Sequence, residues 1–165
     1  MKGHVIQALA IIVVSVFVAI TVNSLVGNRI PLQGSWPSIV SSDSIVIPPS
    51  ADEGDPPFIT LDEAAAKYQL SSAIFIDSRD PEDYAVAHIK GAINIPYDYF
   101  EDYWDEAIEN IPREAELVIY CSGTECELSL FLGREFAYTG YEKVYIFYGG
   151  WREWEKADLP IEEGR

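Results

Sequence analysis

Cysteine and histidine are scarce in this chain, with two of each among 165 residues. Two cysteines cannot build the multi-disulfide framework of a small secreted scaffold. One of the histidines, His4, lies inside an apolar N-terminal run, so no cluster of metal-ligating residues is legible, and neither a metal nor another cofactor is expected. Basic residues are also few: 11 against 27 acids, a formal charge of −16. Lys2 and Arg29 belong to the N-terminal segment and no acid precedes Asp43, so residues 30–165 carry all 27 acids and only nine bases. Such a surface keeps a domain soluble and repels nucleic acid, so no nucleic-acid partner is expected. No internal repeat is present. What remains is a chain that is 48% hydrophobic and 13% aromatic, enough for one well-packed domain with additional segments.

The first of these segments is the run from Val5 to Val26, which carries no charge. As a helix, its 22 residues would reach ~33 Å, enough to cross a hydrocarbon core of ~30 Å. A cleaved signal peptide has a shorter apolar core, and Val22-Asn23-Ser24 is a poor cleavage site. Residues 1–29 are therefore expected to be an uncleaved transmembrane anchor, a single-pass signal-anchor. Lys2 and the terminal amine before the span, against Arg29 after it, favour a cytoplasmic N-terminus. The soluble part is then expected on the periplasmic or extracellular side of a bacterial cytoplasmic membrane. Residues 30–57 read as a linker, since six of the ten prolines fall between Pro31 and Pro57 amid serine and aspartate. Trp36 and Ile45-Val46-Ile47 are the apolar exceptions, either docking points or beads in a tether.

A folded domain is expected over residues 58–165. Thr60-Leu61-Asp62-Glu63 is a capping box that starts a helix running to about Gln69. Ala73–Asp77 reads as a buried strand, and Ser78–Glu82 as a turn into a short helix. A second short strand spans Ala92–Ile95, a helix Tyr99–Ile111, a strand Lys143–Tyr148 and a final helix Trp151–Lys156. Trp151 and Trp154 share one face of that last helix and are assigned to the core. The aromatic-acidic run Tyr97–Trp104 reads as a half-buried helix, or as a protein-docking surface. Strands alternating with helices imply an α/β fold with a parallel sheet covered on both faces.

The stretch Glu116–Phe136 organises this domain. An apolar run, Leu117-Val118-Ile119-Tyr120, ends at Cys121. The loop Cys121-Ser122-Gly123-Thr124-Glu125-Cys126 follows, and then apolar residues at helical spacing. In open parallel sheets, sites form at the carboxyl ends of strands. A cysteine there, before a helix N-terminus, is placed where loop amides and the helix dipole stabilise a thiolate. The plain alternative is a buried structural cysteine.

Three separated stretches together resemble the rhodanese family. The first is Phe75-Ile76-Asp77-Ser78-Arg79, followed by His88-Ile89-Lys90-Gly91-Ala92. The second is Val118-Ile119-Tyr120-Cys121-Ser122-Gly123, and the third ends in Gly149-Gly150-Trp151-Arg152-Glu153-Trp154. The order holds over residues 58–162. The resemblance implies a rhodanese-like domain, a central parallel sheet with helices on both faces. It implies a sulfurtransferase in which Cys121 is the catalytic cysteine, taking sulfane sulfur from a donor as a persulfide and yielding it to a nucleophilic acceptor. The amides of Ser122, Gly123, Thr124, Glu125 and Cys126 would cradle the terminal sulfur. Asp77 and Arg79 are read as tying the strand end to a neighbouring turn, and His88 as making a structural hydrogen bond.

This loop departs from the family in one respect. Many members carry an arginine five residues after the catalytic cysteine, where this chain has Cys126 between Glu125 and Glu127. Negative charge there should raise the Cys121 pKa and repel small dianions such as thiosulfate. A low-molecular-weight persulfide, a protein persulfide or a protein thiol is the better-matched partner. Two alternatives to sulfur transfer remain open. Cys126 is either a resolving thiol, making the loop a thiol–disulfide redox centre with Cys121, or a core filler. The whole domain is alternatively a non-catalytic protein-binding module.

Overall fold

The computed structural model describes residues 2–25 and 45–163. Most of the expected linker, Trp36 included, lies outside them, as does Val26. The chain forms two compact units, Met1–Pro37 and Ser38–Arg165. In the first, α1 (Lys2–Leu25) is a single helix of 24 residues. Its apolar side chains, such as Leu9, Val13 and Phe17, stand exposed. Thr21 returns its hydroxyl to the Phe17 carbonyl at 2.8 Å, which satisfies the one polar group on that turn. Among the described residues no helix is long and apolar enough to cross a membrane. The backbone helix itself, at ~1.5 Å per residue, is ~36 Å long.

The second unit is built on a four-stranded parallel sheet, β3-β1-β4-β5. Its strands are β1 (Ala73–Asp77), β3 (Ile93–Asn94), β4 (Glu116–Tyr120) and β5 (Val144–Phe147). The central pair is in register from Ala73 opposite Glu116 to Asp77 opposite Tyr120. Helices α2 (Leu61–Gln69), α3 (Pro81–Val86), α4 (Phe100–Asn110), α5 (Leu128–Tyr138) and α6 (Gly150–Lys156) connect or flank the strands. The period of two along β4 divides the core. Leu117 and Ile119 join a cluster with Leu130, Leu132 and Phe136 of α5, whereas Val118 and Tyr120 join one with Ala64 of α2 and Trp154 of α6. A strand covered on both faces needs the uninterrupted apolar sequence found here. The Thr60 capping box forms as expected, with Glu63 N–H to Thr60 Oγ1 at 3.2 Å and Thr60 N–H to Glu63 Oε2 at 2.8 Å.

Two features were not anticipated. The expected strand over 92–95 shrinks to β3, while β2 (His88–Ile89) pairs antiparallel with β6 (Ile161–Glu162) in a separate ribbon. The domain also begins before Phe58. Pro48 and Pro56 are buried, and Val46 and Ala51 pack against the α5-side core. The Ile146 amide donates to the Pro57 carbonyl and the Ile59 amide to the Ile146 carbonyl, both at 2.9 Å, so the incoming chain caps the β5 edge. Arg134 on α5 clasps this segment, donating to both Asp55 carboxylate oxygens at 2.7 and 2.8 Å and to the Ser50 carbonyl at 2.9 Å. Residues 45–57 are thus a strap on the domain, not a free tether.

The strap gives the fold an acid sensitivity. Arg134 holds the Asp55 carboxyl below its ordinary value of 3.8, and Lys67 likewise holds Glu116 below 4.5. A depressed carboxyl contributes stability above its ordinary pKa, and this is lost as pH falls through the lower folded value. Thermal unfolding followed below roughly pH 4 should therefore show a steepening loss that Asp55→Asn flattens. An unchanged slope in that variant would rule the clasp out as the cause.

Candidate active site

Every strand of the parallel sheet points its carboxyl end toward one edge, and Cys121 stands at that edge, directly after β4. The residue is 2% exposed. Its backbone is held from both sides. Ser78 donates its amide (2.9 Å) and hydroxyl (2.8 Å) to the carbonyl of Tyr120, and the Trp151 amide donates to the carbonyl of Cys121 at 2.8 Å. The Arg152 amide then donates to the Ser122 carbonyl at 3.1 Å. The start of α6 thereby grips the loop through two successive amides. Tyr148 adds a third tie, from its hydroxyl to the Thr124 carbonyl at 2.7 Å.

That grip depends on Gly149 and Gly150, the pair in the third family-like stretch that turns the chain into α6. A Cβ on Gly150 would collide with the Cys121 carbonyl oxygen and crowd the Gly123 amide, and its φ of +62° disfavours side chains. Gly123 itself sits at φ +153° against the Gly149 carbonyl. Gly150→Ala should cost about 2–4 kcal/mol, combining left-handed strain with overpacking. Urea denaturation would measure it, and an unshifted midpoint would show that the loop yields at no cost.

Within the loop, the Cys126 amide closes a turn onto the Gly123 carbonyl at 2.8 Å. Among the described residues, the amides of Ser122, Gly123, Thr124 and Glu125 have no protein acceptor. Four amides without a protein acceptor are thus grouped in the loop that follows Cys121. Cys126 does not fill the core. It is joined to Cys121 in a disulfide with a Cα separation of 6.1 Å, inside the usual range, and no cysteine is free. Helix α5 begins after it, at Leu128.

The charge around the loop also differs from the sequence expectation. A cation from another element lies beside the loop's acidic residues. Arg152, two residues into α6, approaches Glu125 with 3.4 Å between Nη1 and Oε2. Both side chains are well exposed, so the pair screens charge more than it stabilises. Only a chain folded back after β5 brings this cation close, which is why spacing within the loop could not reveal it.

Asp77, Arg79 and His88 lie behind the loop. Asp77 and Arg79 are almost wholly buried and bonded bidentately, with Nη2 to Oδ2 at 2.6 Å and Nε to Oδ1 at 3.0 Å. Arg79 also donates to the Ala87 carbonyl at 2.8 Å and sits 5.0 Å from the Trp151 ring centroid. Burial opposes its charge, but the Asp77 carboxylate outweighs this and holds the guanidinium above its ordinary value. Trp151 is thereby drawn into a cation–π contact and only half-buried, whereas Trp154 is the core residue. Burial, then the negative charge of Asp77, pushes the Tyr120 phenol far above its usual value, so it remains a neutral hydroxyl. It accepts from the Ile89 amide at 3.1 Å. His88 Nδ1 lies 2.8 Å from the Tyr84 carbonyl, so it carries the proton there, and its ring stacks on Tyr84 at 3.7 Å. Among the described residues, no group of acids, cysteines and histidines can hold a metal ion.

A family model described as a Rhodanese-like domain matches residues 60–157. The chain is 30% identical over 96 residues to a thiosulfate sulfurtransferase of Tolumonas auensis, covering 58% of this chain and 85% of that protein. It is 34% identical over 97 residues to a tRNA uridine(34) hydroxylase of Hamiltonella defensa, covering 54% of this chain and 26% of the hydroxylase. It is 31% identical over 106 residues to a helix-turn-helix-type transcriptional regulator of Mycobacterium tuberculosis, covering 64% of this chain and 45% of the regulator. The chain therefore spans less than half the length of these last two relatives. The human single-domain sulfurtransferase shares the fold, with a TM-score of 0.54 at 24% identity over 61% of this chain and 96% of that one.

Proposed function

Because this chain belongs to the rhodanese-like domain family, we propose that it is a sulfurtransferase carrying sulfane sulfur on Cys121. The observation that carries the reading is the position of Cys121 at the carboxyl tip of β4, in a loop with four amides free of protein acceptors. In the reduced protein the Cys121 thiolate attacks the outer sulfur of a donor persulfide, R–S–SH. The donor's S–S bond breaks, RS⁻ leaves, and Cys121–S–SH forms. The loop amides stabilise negative charge on the terminal sulfur. A nucleophilic acceptor then takes that sulfur and restores the thiolate. A surface this acidic suits small or protein persulfides better than a nucleic acid.

The Cys121–Cys126 disulfide favours a second route from the same intermediate. The Cys126 thiolate attacks the inner sulfur of Cys121–S–SH, expels HS⁻ and closes the disulfide. An external dithiol must then supply two electrons and two protons to reopen it. Reduced wild-type protein given glutathione persulfide without further reductant would release about one sulfide per chain and stop. Cys126→Ser would load sulfur and release none. Equal release from both would remove Cys126 from the chemistry.

We also propose that α1 anchors the domain in a bacterial cytoplasmic membrane, with the domain outside. The uncharged run Val5–Val26 supports this, as does the disulfide, which persists in oxidising compartments and rarely in the cytosol. The full chain should stay with membranes through a carbonate wash, and external protease should reach the domain in spheroplasts. Recovery in the soluble fraction would refute the anchor.

A further inference from the structure

Among the described residues, two buried side-chain oxygens lack a hydrogen-bond partner: Ser50 Oγ in the strap and Ser129 Oγ in the first turn of α5. Ser129 is 0% exposed. Other hydroxyls on helices of this chain return to a carbonyl one turn back, Thr21 to Phe17 and Thr139 to Glu135. Ser129 makes no such bond. A buried hydroxyl in that condition costs stability unless another state of the protein supplies its partner.

The place of Ser129 in the fold indicates that partner. Helix α5 leads from the end of β4 back to the start of β5, so its first turn lies toward the carboxyl ends of both strands. Gly133, one turn after Ser129, lies so close to the Ile146 side chain that a Cβ would collide with it. Ile146 is in register with Ile119 on β4, and Cys121 follows Ile119 by two residues. One helical turn rises ~5.4 Å and two strand residues ~6.6 Å, so Ser129 and Cys121 stand at about the same level above that pair. They also share one side of the sheet. Leu117 and Ile119 face the α5 cluster and Cys121 is next in the alternation. The disulfide ties Cys121 to Cys126, three residues before Ser129.

We infer that Ser129 is a positioning residue whose hydroxyl donates to the Cys121 sulfur once the disulfide is open, holding that sulfur as the thiolate. The inference rests on Cys121 being the reactive thiol, as proposed above. In the disulfide the Cys121 sulfur is neutral and a weak acceptor, so the hydroxyl goes unpaired. An external dithiol breaks the S–S bond, supplying two electrons and two protons. Cys121 then releases its proton to solvent, and the buried negative sulfur is a strong acceptor for a buried donor. The other titratable groups around the loop are Glu125 and Glu127 on its own segment, Arg152 on α6, Tyr148 at the end of β5 and the Asp77–Arg79 pair after β1. Tyr97 packs on Phe131 of α5. The two glutamates oppose a second negative charge, which is why a dedicated donor matters here.

The test uses the full chain in detergent. A Cys126→Ala background leaves Cys121 as the only cysteine and adds no hydroxyl beside it. The rate of iodoacetamide alkylation against pH gives the Cys121 pKa with and without Ser129→Ala, a change that removes only an unpaired hydroxyl and leaves every charge named above in place. Loss of one hydrogen bond to a charged sulfur should raise that pKa by about one to two units, so alkylation at a pH below both values falls roughly ten- to a hundredfold. With both cysteines present, Ser129→Ala should make the disulfide about tenfold harder to reduce with glutathione, because the thiolate it opens to has lost its donor. A hydroxyl with a merely structural role would move neither quantity. An unchanged pKa, or a disulfide no harder to reduce, would overturn the inference. Neither readout depends on sulfur transfer. A protein that shows both shifts but takes no sulfur from glutathione persulfide refutes the proposed function and leaves the role of Ser129 standing.

Discussion

Cys121→Ser is expected to lower sulfur transfer from glutathione persulfide by about a thousandfold or more, equivalent to ~4 kcal/mol of transition-state stabilisation. A serine hydroxyl does not ionise near neutral pH and cannot hold sulfane sulfur as a persulfide, whatever charge the loop amides supply. The substitution is nearly isosteric at a buried position whose backbone is fixed by Ser78 and Trp151. The fold should therefore survive, and circular dichroism and the urea midpoint should stay close to wild type. The same variant also loses the disulfide, so the fair comparison is with Cys126→Ser, which loses it too. If the two variants transfer sulfur equally well, Cys121 is not the carrier.

Arg79→Met is expected to cost about 3–5 kcal/mol, the usual penalty for stranding one half of a buried ion pair. Asp77 is 0% exposed, and Arg79 supplies three of its hydrogen bonds through the guanidinium and one through its amide. Removing the guanidinium leaves a buried carboxylate beside the Tyr120 hydroxyl without the cation that partners it. It also frees the Ala87 carbonyl and the face of Trp151. Because Trp151 donates its amide to Cys121, sulfur loading should slow as well, even at denaturant-free equilibrium. Urea denaturation gives the first quantity and single-turnover loading the second. Asp77→Asn/Arg79→Met together should recover part of the stability, since a neutral pair removes the stranded charge. A double variant as unstable as Arg79→Met alone would mean that the arginine acts through packing and not through charge.

Much of this site could be read from local sequence. The Thr60–Glu63 box, the four-residue apolar run before Cys121 and the Gly123 turn all act within a few residues of themselves, and each appears where its chemistry requires. The features that escaped the sequence reading share a different property: their partners are distant. Arg134 meets Asp55 and Ser50 across about half the chain, so a proline-rich stretch that composition assigns to a tether becomes a strap. Prolines in fact suit that strap, because Pro48 and Pro56 are buried without an amide needing a partner. Arg152 reaches Glu125 only because Gly149 and Gly150 let the chain close against Cys121, and no spacing rule within the loop contains that information. The pairing of Cys126 with Cys121 lay between these cases. The spacing allowed it, and the turn closed by the Cys126 amide on Gly123 brings the two Cα atoms to 6.1 Å.

The central claim, a persulfide held on Cys121, is tested most directly by intact mass. Full-length Cys126→Ser in detergent would be reduced, desalted, incubated with glutathione persulfide and measured without reductant. The account expects a gain of one sulfur, about 32 Da, located on the peptide containing Cys121 and lost on adding a thiol acceptor. The contrary result is no gain from a protein whose Cys121 still alkylates with iodoacetamide. That outcome would mean an accessible thiol that does not accept sulfane sulfur, and the proposal of a sulfur carrier would fall.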